Sequence, residues 1–401
     1  MKKNLWLVIG LLLIASLVFS ACQTAPAPEE PAAEEETMEE PAEEEAEEAE
    51  EAEEAEEAEE AEETEEMEEE KLTVAFIYIG QPGDLGWTYE HEQGRLMLEE
   101  QLGEQVETLT VPDVPEGPDA EKSIRDVVNQ GADVVFTTSF GYMDPTLTVA
   151  QDNPEVIFEH CSGFKTNDNM ATYFGRMYQP RYLSGLVAGS MTEVNSIGYV
   201  AAFPIPEVIR GINAFTLGVR EVNPEAEVKV VWTSTWYDPV KEREAAQALL
   251  DEGVDIIAQH QDTTEPQKAA AEAGKLSIGY DSDMAQFVGD TVLTSPVWNW
   301  GTYYVDTIQN VLDGTWETHQ FWGGLNSGIV KLAELSPQVP EGVAKLVEES
   351  HERITDTEWD VFCGPINSQD GTEMVAEGEC MADGDMLSMD WFVEGVEGTL
   401  E

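Results

Sequence analysis

The chain has 401 residues, enough for two domains of ordinary size. Its 83 acidic residues against 19 basic ones give a formal charge of -64, which argues against docking on nucleic acid or an anionic membrane through a basic patch. Residues 29–70 hold 27 of the acids, all glutamate, yet the body from Lys71 onward still carries 56 acids against 17 bases, as a solvated, salt-adapted surface does.

Met1 to Ala21 begins with Lys2 and Lys3, continues in an apolar run from Leu5 to Phe19 and ends on small residues, the layout of a secretory signal over 1–21. The apolar run is too short to span a bilayer. Residues 22–70 open with Cys22 and become Ala-Glu-Glu repeats with no apolar face to bury, so they read as an acidic tether with a coil span of roughly 40 Å.

From Leu72 the grammar changes to alternating apolar runs and helical stretches. Strands are expected near 72–80, 106–111, 133–139, 156–161 and 172–175, with helices near 88–102, 119–130 and 144–152 between them. A second series follows, with helices over 180–193, 206–222, 239–252 and 265–275 alternating with strands over 197–203, 228–234, 255–260 and 276–280. Such alternation over this length predicts two doubly wound α/β sheets. Asp238-Pro239 and Pro206-Glu207 are proper helix starts, a capping side chain or an early acid beside a proline in the first turn. Residues 336–401 show one helix, 340–349, and little periodicity after it.

The loop Gly80-Gln-Pro-Gly83-Asp-Leu-Gly86-Trp87 after the first strand is glycine-rich, but its spacing is not that of a dinucleotide or Walker loop. HExxH, GxSxG and CxxC are missing, and five scattered histidines give little material for a metal site or a His-based triad, so neither enzyme chemistry nor a cofactor is expected. What recurs is an aromatic or acidic residue just past a strand, where ligands sit in open parallel sheets. Asp84, Gly86 and Trp87 follow the first strand, Ser139, Phe140 and Tyr142 the third, Trp236 and Tyr237 the strand 228–234, Asp281 and Asp283 the strand 276–280, and Trp298 the run 292–295. Flat aromatic walls with a few carboxylates suit a planar ligand carrying N–H donors.

The runs TSFGY, RYLSGLVAGSMT, GYVAAFPIPEVIRGINAFTLGVR, GYDSDM and FWGGLNSGIVKL, over nearly all of 72–335, resemble the BMP (basic membrane protein) family of ABC-transporter substrate-binding lipoproteins. The resemblance implies a type I periplasmic-binding-protein fold, with two lobes closing on a purine nucleoside or base. It implies an N-terminal lobe of 71–174 plus about 293–318, a C-terminal lobe of 175–292 plus about 319–335, and an extension over 336–401 packed on the latter. Asp84 then matches the acid of the family's first loop, Trp87 stands where a stacking Phe is common, Trp236 is the second lobe's stacking aromatic, and Asp281 and Asp283 lie in the segment associated with ribose. Thr88 replaces an Asn usual in nucleoside binders, and Thr294-Ser295 leads to Trp298 where a Lys is common, which favours a free base such as adenine. Phe19-Ser20-Ala21-Cys22 resembles a lipobox, which implies diacylation of Cys22 and a membrane-tethered, extracytoplasmic monomer that serves an ABC permease. The rivals are an extracytoplasmic nucleosidase using Asp281 and Asp283, and a ligand sensor on a membrane kinase.

Cys161 beside His160 reads as buried packing. Cys363 and Cys380, outside the resemblance, are either bridged or two separate thiols.

Overall fold

The computed structural model describes residues 71–400; the signal segment, the lipidation at Cys22 and the tether that the sequence leads one to expect lie outside the described residues. Five strands open the first lobe: β1 (Leu72–Ile77), β2 (Val106–Val111), β3 (Val134–Thr137), β4 (Ile157–Cys161) and β5 (Met170–Gly175). Helices α1 (Trp87–Leu102), α2 (Pro118–Asn129) and α3 (Met143–Asp152) alternate with them. The β1 residues from Val74 to Ile77 are fully buried, because both faces of the sheet are covered. Val74 and Phe76 join one apolar core and Ala75 and Ile77 another, as the two-residue period of a strand requires.

The second lobe repeats the pattern with α4 (Tyr178–Met191), β6 (Ser196–Ala201), α5 (Pro206–Val222), β7 (Glu227–Trp232), α6 (Pro239–Asp251), β8 (Ile256–His260), α7 (Glu265–Glu272), β9 (Leu276–Ser277) and the short α8 (Ala285–Val288). Asp238 caps α6 by accepting from the amides of Val240 and Lys241, and Glu242 returns a bond to the Asp238 amide at 2.9 Å.

The chain then returns through β10 (Pro296–Trp298), α9 (Trp300–Leu312), β11 (Gln320–Gly323) and β12 (Val330–Leu332). Helix α9 packs on α1, and β11 adds to β5 in parallel register, Phe321 opposite Tyr173. The first sheet is therefore six strands in the order β11-β5-β4-β3-β1-β2. Expectation put 319–335 with the second lobe; Gln320–Gly323 lies in the first instead, since an edge strand of four residues carries too little periodicity to declare its partner. The antiparallel pair β10/β12 and the passage from β5 into α4 are the crossovers between lobes.

The extension contributes α10 (Glu341–Asp356), packed on α4, then β13 (Ile366–Asn367), β14 (Glu373–Val375), α11 (Asp383–Leu387) and β15 (Val396–Glu397). Strand β15 pairs with β7, completing the second sheet as β15-β7-β6-β8-β9. Cys363 and Cys380 are joined by a disulfide within this segment, and Cys161 is a buried free thiol.

Candidate functional site

In each sheet the chain reverses its winding beside the first strand, and the carboxyl ends of the strands at that switch point form a crevice. On the first-lobe side the loop after β1 is organised by Asp84. Its carboxylate accepts from the amides of Gly86, Thr88 and Tyr89 at 3.0, 2.9 and 2.8 Å, fixing the start of α1. Burial nonetheless pushes its pKa up, against those three bonds. Trp87, the first residue of α1, donates its indole N–H to the Thr138 carbonyl at 2.8 Å, which ties α1 to the end of β3.

Around that indole stands an aromatic block. Trp87 meets Trp298 edge-on at 5.7 Å and Trp300 at 5.5 Å. Trp298 stacks on Trp300 at 4.3 Å and 12°, and Trp300 stacks on His91 at 4.6 Å and 6°. Trp298, fully buried on the β10 crossover, donates its N–H to Asp281 Oδ1 at 2.9 Å. Asp281 Oδ2 is buried with no protein partner, and burial holds this carboxyl well above the usual range.

Ser139, Phe140 and Tyr142 separate on folding. Ser139 donates its hydroxyl to Glu116 at 2.6 Å, Phe140 is 55 % exposed, and Tyr142 is buried in the first-lobe core with its hydroxyl on the Val114 carbonyl. The 3-10 turn Phe140–Tyr142 rotates successive side chains by about a third of a turn, so the two rings point apart.

The second-lobe side carries the charges. Trp236 is 37 % exposed, edge-on to Phe203 at 5.2 Å and 6.4 Å from His260. His260, at the end of β8, pairs with Glu207 in the first turn of α5, Nε2 to Oε2 at 3.1 Å. Asp283 is a turn group that accepts from the amide of Ala285 and the side chain of Gln286, so Asp281 and Asp283 do different work. Phe203, Glu207 and His260 were not among the site residues expected from sequence, Glu207 being read only as a helix start. Their positions just past β6 and at the end of β8 are the signal that could have found them.

The two sides touch. Ser282 donates its hydroxyl to the Leu85 carbonyl, Tyr89 meets Phe287 edge-on at 5.7 Å, and a Cβ on Gly86 would sit 2.2 Å from the Asp262 carbonyl oxygen. Only glycine lets this loop come so near the opposite lobe. A groove of about 750 Å³ runs beside this seam between α1, α8 and the crossovers, lined among others by Tyr89, Glu90, Asp283, Phe287 and Lys331. Burial raises Glu90 there to about 8, with Lys331 opposing. Among the described residues no cluster of His, Cys, Asp and Glu could hold a metal, and no helix is long and apolar enough to cross a membrane.

Similarity to known proteins fits this geometry. The chain is 48% identical over 331 residues to a purine-binding protein of Brucella abortus, covering 82% of this chain and 94% of that one. It is 43% identical over 329 residues to a putative ABC transporter glucose-binding protein of Haloferax volcanii, covering 82% and 81%. The fold is shared with the solved structure of an ABC transporter solute-binding protein from Conexibacter woesei, at a TM-score of 0.63, 24% identity, and coverage of 72% of this chain and 98% of that one. Residues 71–358 match the PnrA-like (Bmp) family, and the chain belongs to that family of ABC-transporter substrate-binding proteins.

Proposed function

We propose that this solute-binding protein takes a purine base in the crevice between its lobes, is held to the membrane through lipid on Cys22, and hands the base to its permease. The family works outside the cytoplasm as receptors rather than enzymes, so binding and release are the whole task. The observation that carries the purine reading is an accessible indole on each side of the crevice, the partly buried Trp87 on one and the exposed Trp236, edge-on to Phe203, on the other, with Asp281 whose Oδ2 has no protein partner. A stacked base gains roughly 1–3 kcal/mol per ring contact. The raised carboxyl of Asp281 adds a hydrogen-bonding group that suits a polar heterocycle, while Asp84 holds the start of α1 beside it.

A free base is preferred to a nucleoside because Trp298 already fills the space beside Asp281 and occupies Oδ1. The relative named for purine binding supports this choice, and the relative named for glucose makes glucose the competitor to test.

Titration calorimetry of the purified chain with adenine, guanine, hypoxanthine, adenosine and glucose tests this directly. Expected are binding of at least one free purine base, weaker binding of its nucleoside and no binding of glucose. Tight glucose binding with no purine binding overturns the proposal. Trp236→Ala should weaken the best-bound base by about tenfold or more; wild-type affinity in that variant removes Trp236 from the site.

A further inference from the structure

Behind the second wall lies a buried polar network that the stacking reading does not use. Arg181, fully buried on α4, lays its guanidinium 3.7 Å from the centre of the Tyr280 ring and donates through Nη1 to the Gln259 carbonyl. Its Nε and Nη2, His260 Nδ1 and the Tyr199 hydroxyl are all buried without a protein partner. Such orphans are rare in folded chains, and here they lie together. A Cβ on Gly211 would sit 3.5 Å from both Arg181 Nε and His260 Nδ1. The two unpartnered nitrogens therefore both face the bare Cα of Gly211, a donor and a ring nitrogen on the same spot.

The protonation states follow from the partners. Burial by itself would raise Glu207, but His260, Arg210 and Arg181 outweigh it and hold the carboxyl below its ordinary value. Burial pushes His260 down, toward the neutral ring, against the pull of Glu207. A neutral His260 that donates from Nε2 to Glu207 must present Nδ1 as an acceptor, toward the side where Arg181 Nε lies. The bond from His260 thus fixes the orientation of Glu207.

Glu207 itself is not sealed in. Its side chain is 22% exposed and it is in the first turn of α5, just past the carboxyl end of β6. That places the carboxylate at the strand ends of the second lobe, on the His260 ring whose centre lies 6.4 Å from that of Trp236.

We propose that Glu207 is a ligand-recognition residue, whose carboxylate, positioned by His260, accepts N–H donors from the edge of the heterocycle stacked against Trp236. An ionised carboxylate only accepts, so it favours a purine that turns a ring N–H toward it, as guanine and hypoxanthine do at N1, over one that presents a ring acceptor there, as adenine does. The inference rests on the purine reading and extends it to the edge of the base.

The test is calorimetry of wild type and Glu207→Gln with guanine, hypoxanthine, adenine and glucose, thermal denaturation serving as the folding control. Removal of a charged hydrogen-bond acceptor should weaken guanine and hypoxanthine by about 10- to 100-fold while adenine changes by less than about threefold. His260→Gln, which keeps an N–H for Glu207, should retain more guanine affinity than His260→Ala; a purely structural histidine would not show that order. An equal loss for all three bases, or none, overturns the role of Glu207. If wild type binds glucose and no purine, the purine reading falls, and Glu207→Gln against glucose decides the residue: loss keeps it as a ligand contact and no loss removes it. Should Glu207→Gln fail to fold, Glu207→Asp, which withdraws the carboxylate by one methylene, is read in the same way.

Discussion

At the end of the first sheet the indole N–H groups of Trp87 and Trp298 are already satisfied, one by the Thr138 carbonyl and one by Asp281, and the partly buried Trp87 stands edge-on to a fully buried Trp298. At the end of the second sheet Arg181, His260 and Asp281 keep polar atoms without protein partners, and Glu207 is held ionised among them. The first side also keeps the Thr88 hydroxyl, His91 Nε2 and Trp300 Nε1 without protein partners, but these are neutral groups; the second leaves a carboxyl oxygen and a guanidinium open. Affinity then comes from stacking available to any flat molecule, while discrimination comes from the acids and bases of the second lobe. Closure joins the two at a single seam, where Gly86 lies against Asp262 and Leu85 against Ser282.

The sharpest way to break this division is to hold the walls apart without altering either. Gly86→Ala places a methyl 2.2 Å from the Asp262 carbonyl oxygen, so the closed contact must yield while both lobes keep their own cores. The expected result is a loss of about 10- to 100-fold in affinity for the best-bound base, with the melting temperature of the ligand-free protein within about 2 °C of wild type. Unchanged affinity in calorimetry would mean that the ligand is gripped without this seam.

The fold was legible because each strand and helix declares itself through period and punctuation; the α6 start at Asp238-Pro239 even announces its cap. The site was legible only as positions. Trp87, Trp298 and Asp281 do gather at the strand ends, but sequence cannot show that Trp298 turns its N–H onto Asp281 and that Trp300 completes the stack. Tyr142 has the same kind of position and points the other way, because one 3-10 turn decides its direction. Asp84 is spent on the amides of α1. Glu207 looked like an ordinary first-turn acid, since its distinction is the arrival of His260 from a strand 53 residues away. The extension was opaque for another reason: strands of two or three residues have no period to read.

A smaller effect separates the ring block from its acid. Trp298→Phe keeps most of the stacking on Trp300 but withdraws the indole N–H from the Oδ1 of the buried Asp281 carboxyl. Leaving that atom unpaired costs about 1–3 kcal/mol. Thermal unfolding should show a fall of several degrees, whereas Trp87→Phe, at an indole that is only partly buried, should cost less. Equal falls in the two variants would show that the contact between Trp298 and Asp281 adds nothing to ring packing.

The smallest expected effect tests whether the charged character of the second lobe extends beneath its wall. Glu242 is fully buried under the loop that meets Gly86, bonded by the Asp238 amide and the Thr263 hydroxyl, and burial raises its carboxyl to about 7 despite those bonds. A folded pKa above the ordinary carboxylate value means that the native state holds the proton after the unfolded chain has released it. Its contribution to stability is therefore complete at pH values below the unfolded pKa and is lost as pH rises through about 7. The general repulsion of so acidic a chain has the same sign, so the variant, and not wild type alone, is informative. Glu242→Gln keeps the shape and cannot ionise. Between pH 5 and pH 8 its stability in urea should fall by on the order of 1 kcal/mol less than that of wild type. Parallel pH profiles for the two proteins would place the proton elsewhere and confine the unsatisfied charge of this lobe to the crevice itself.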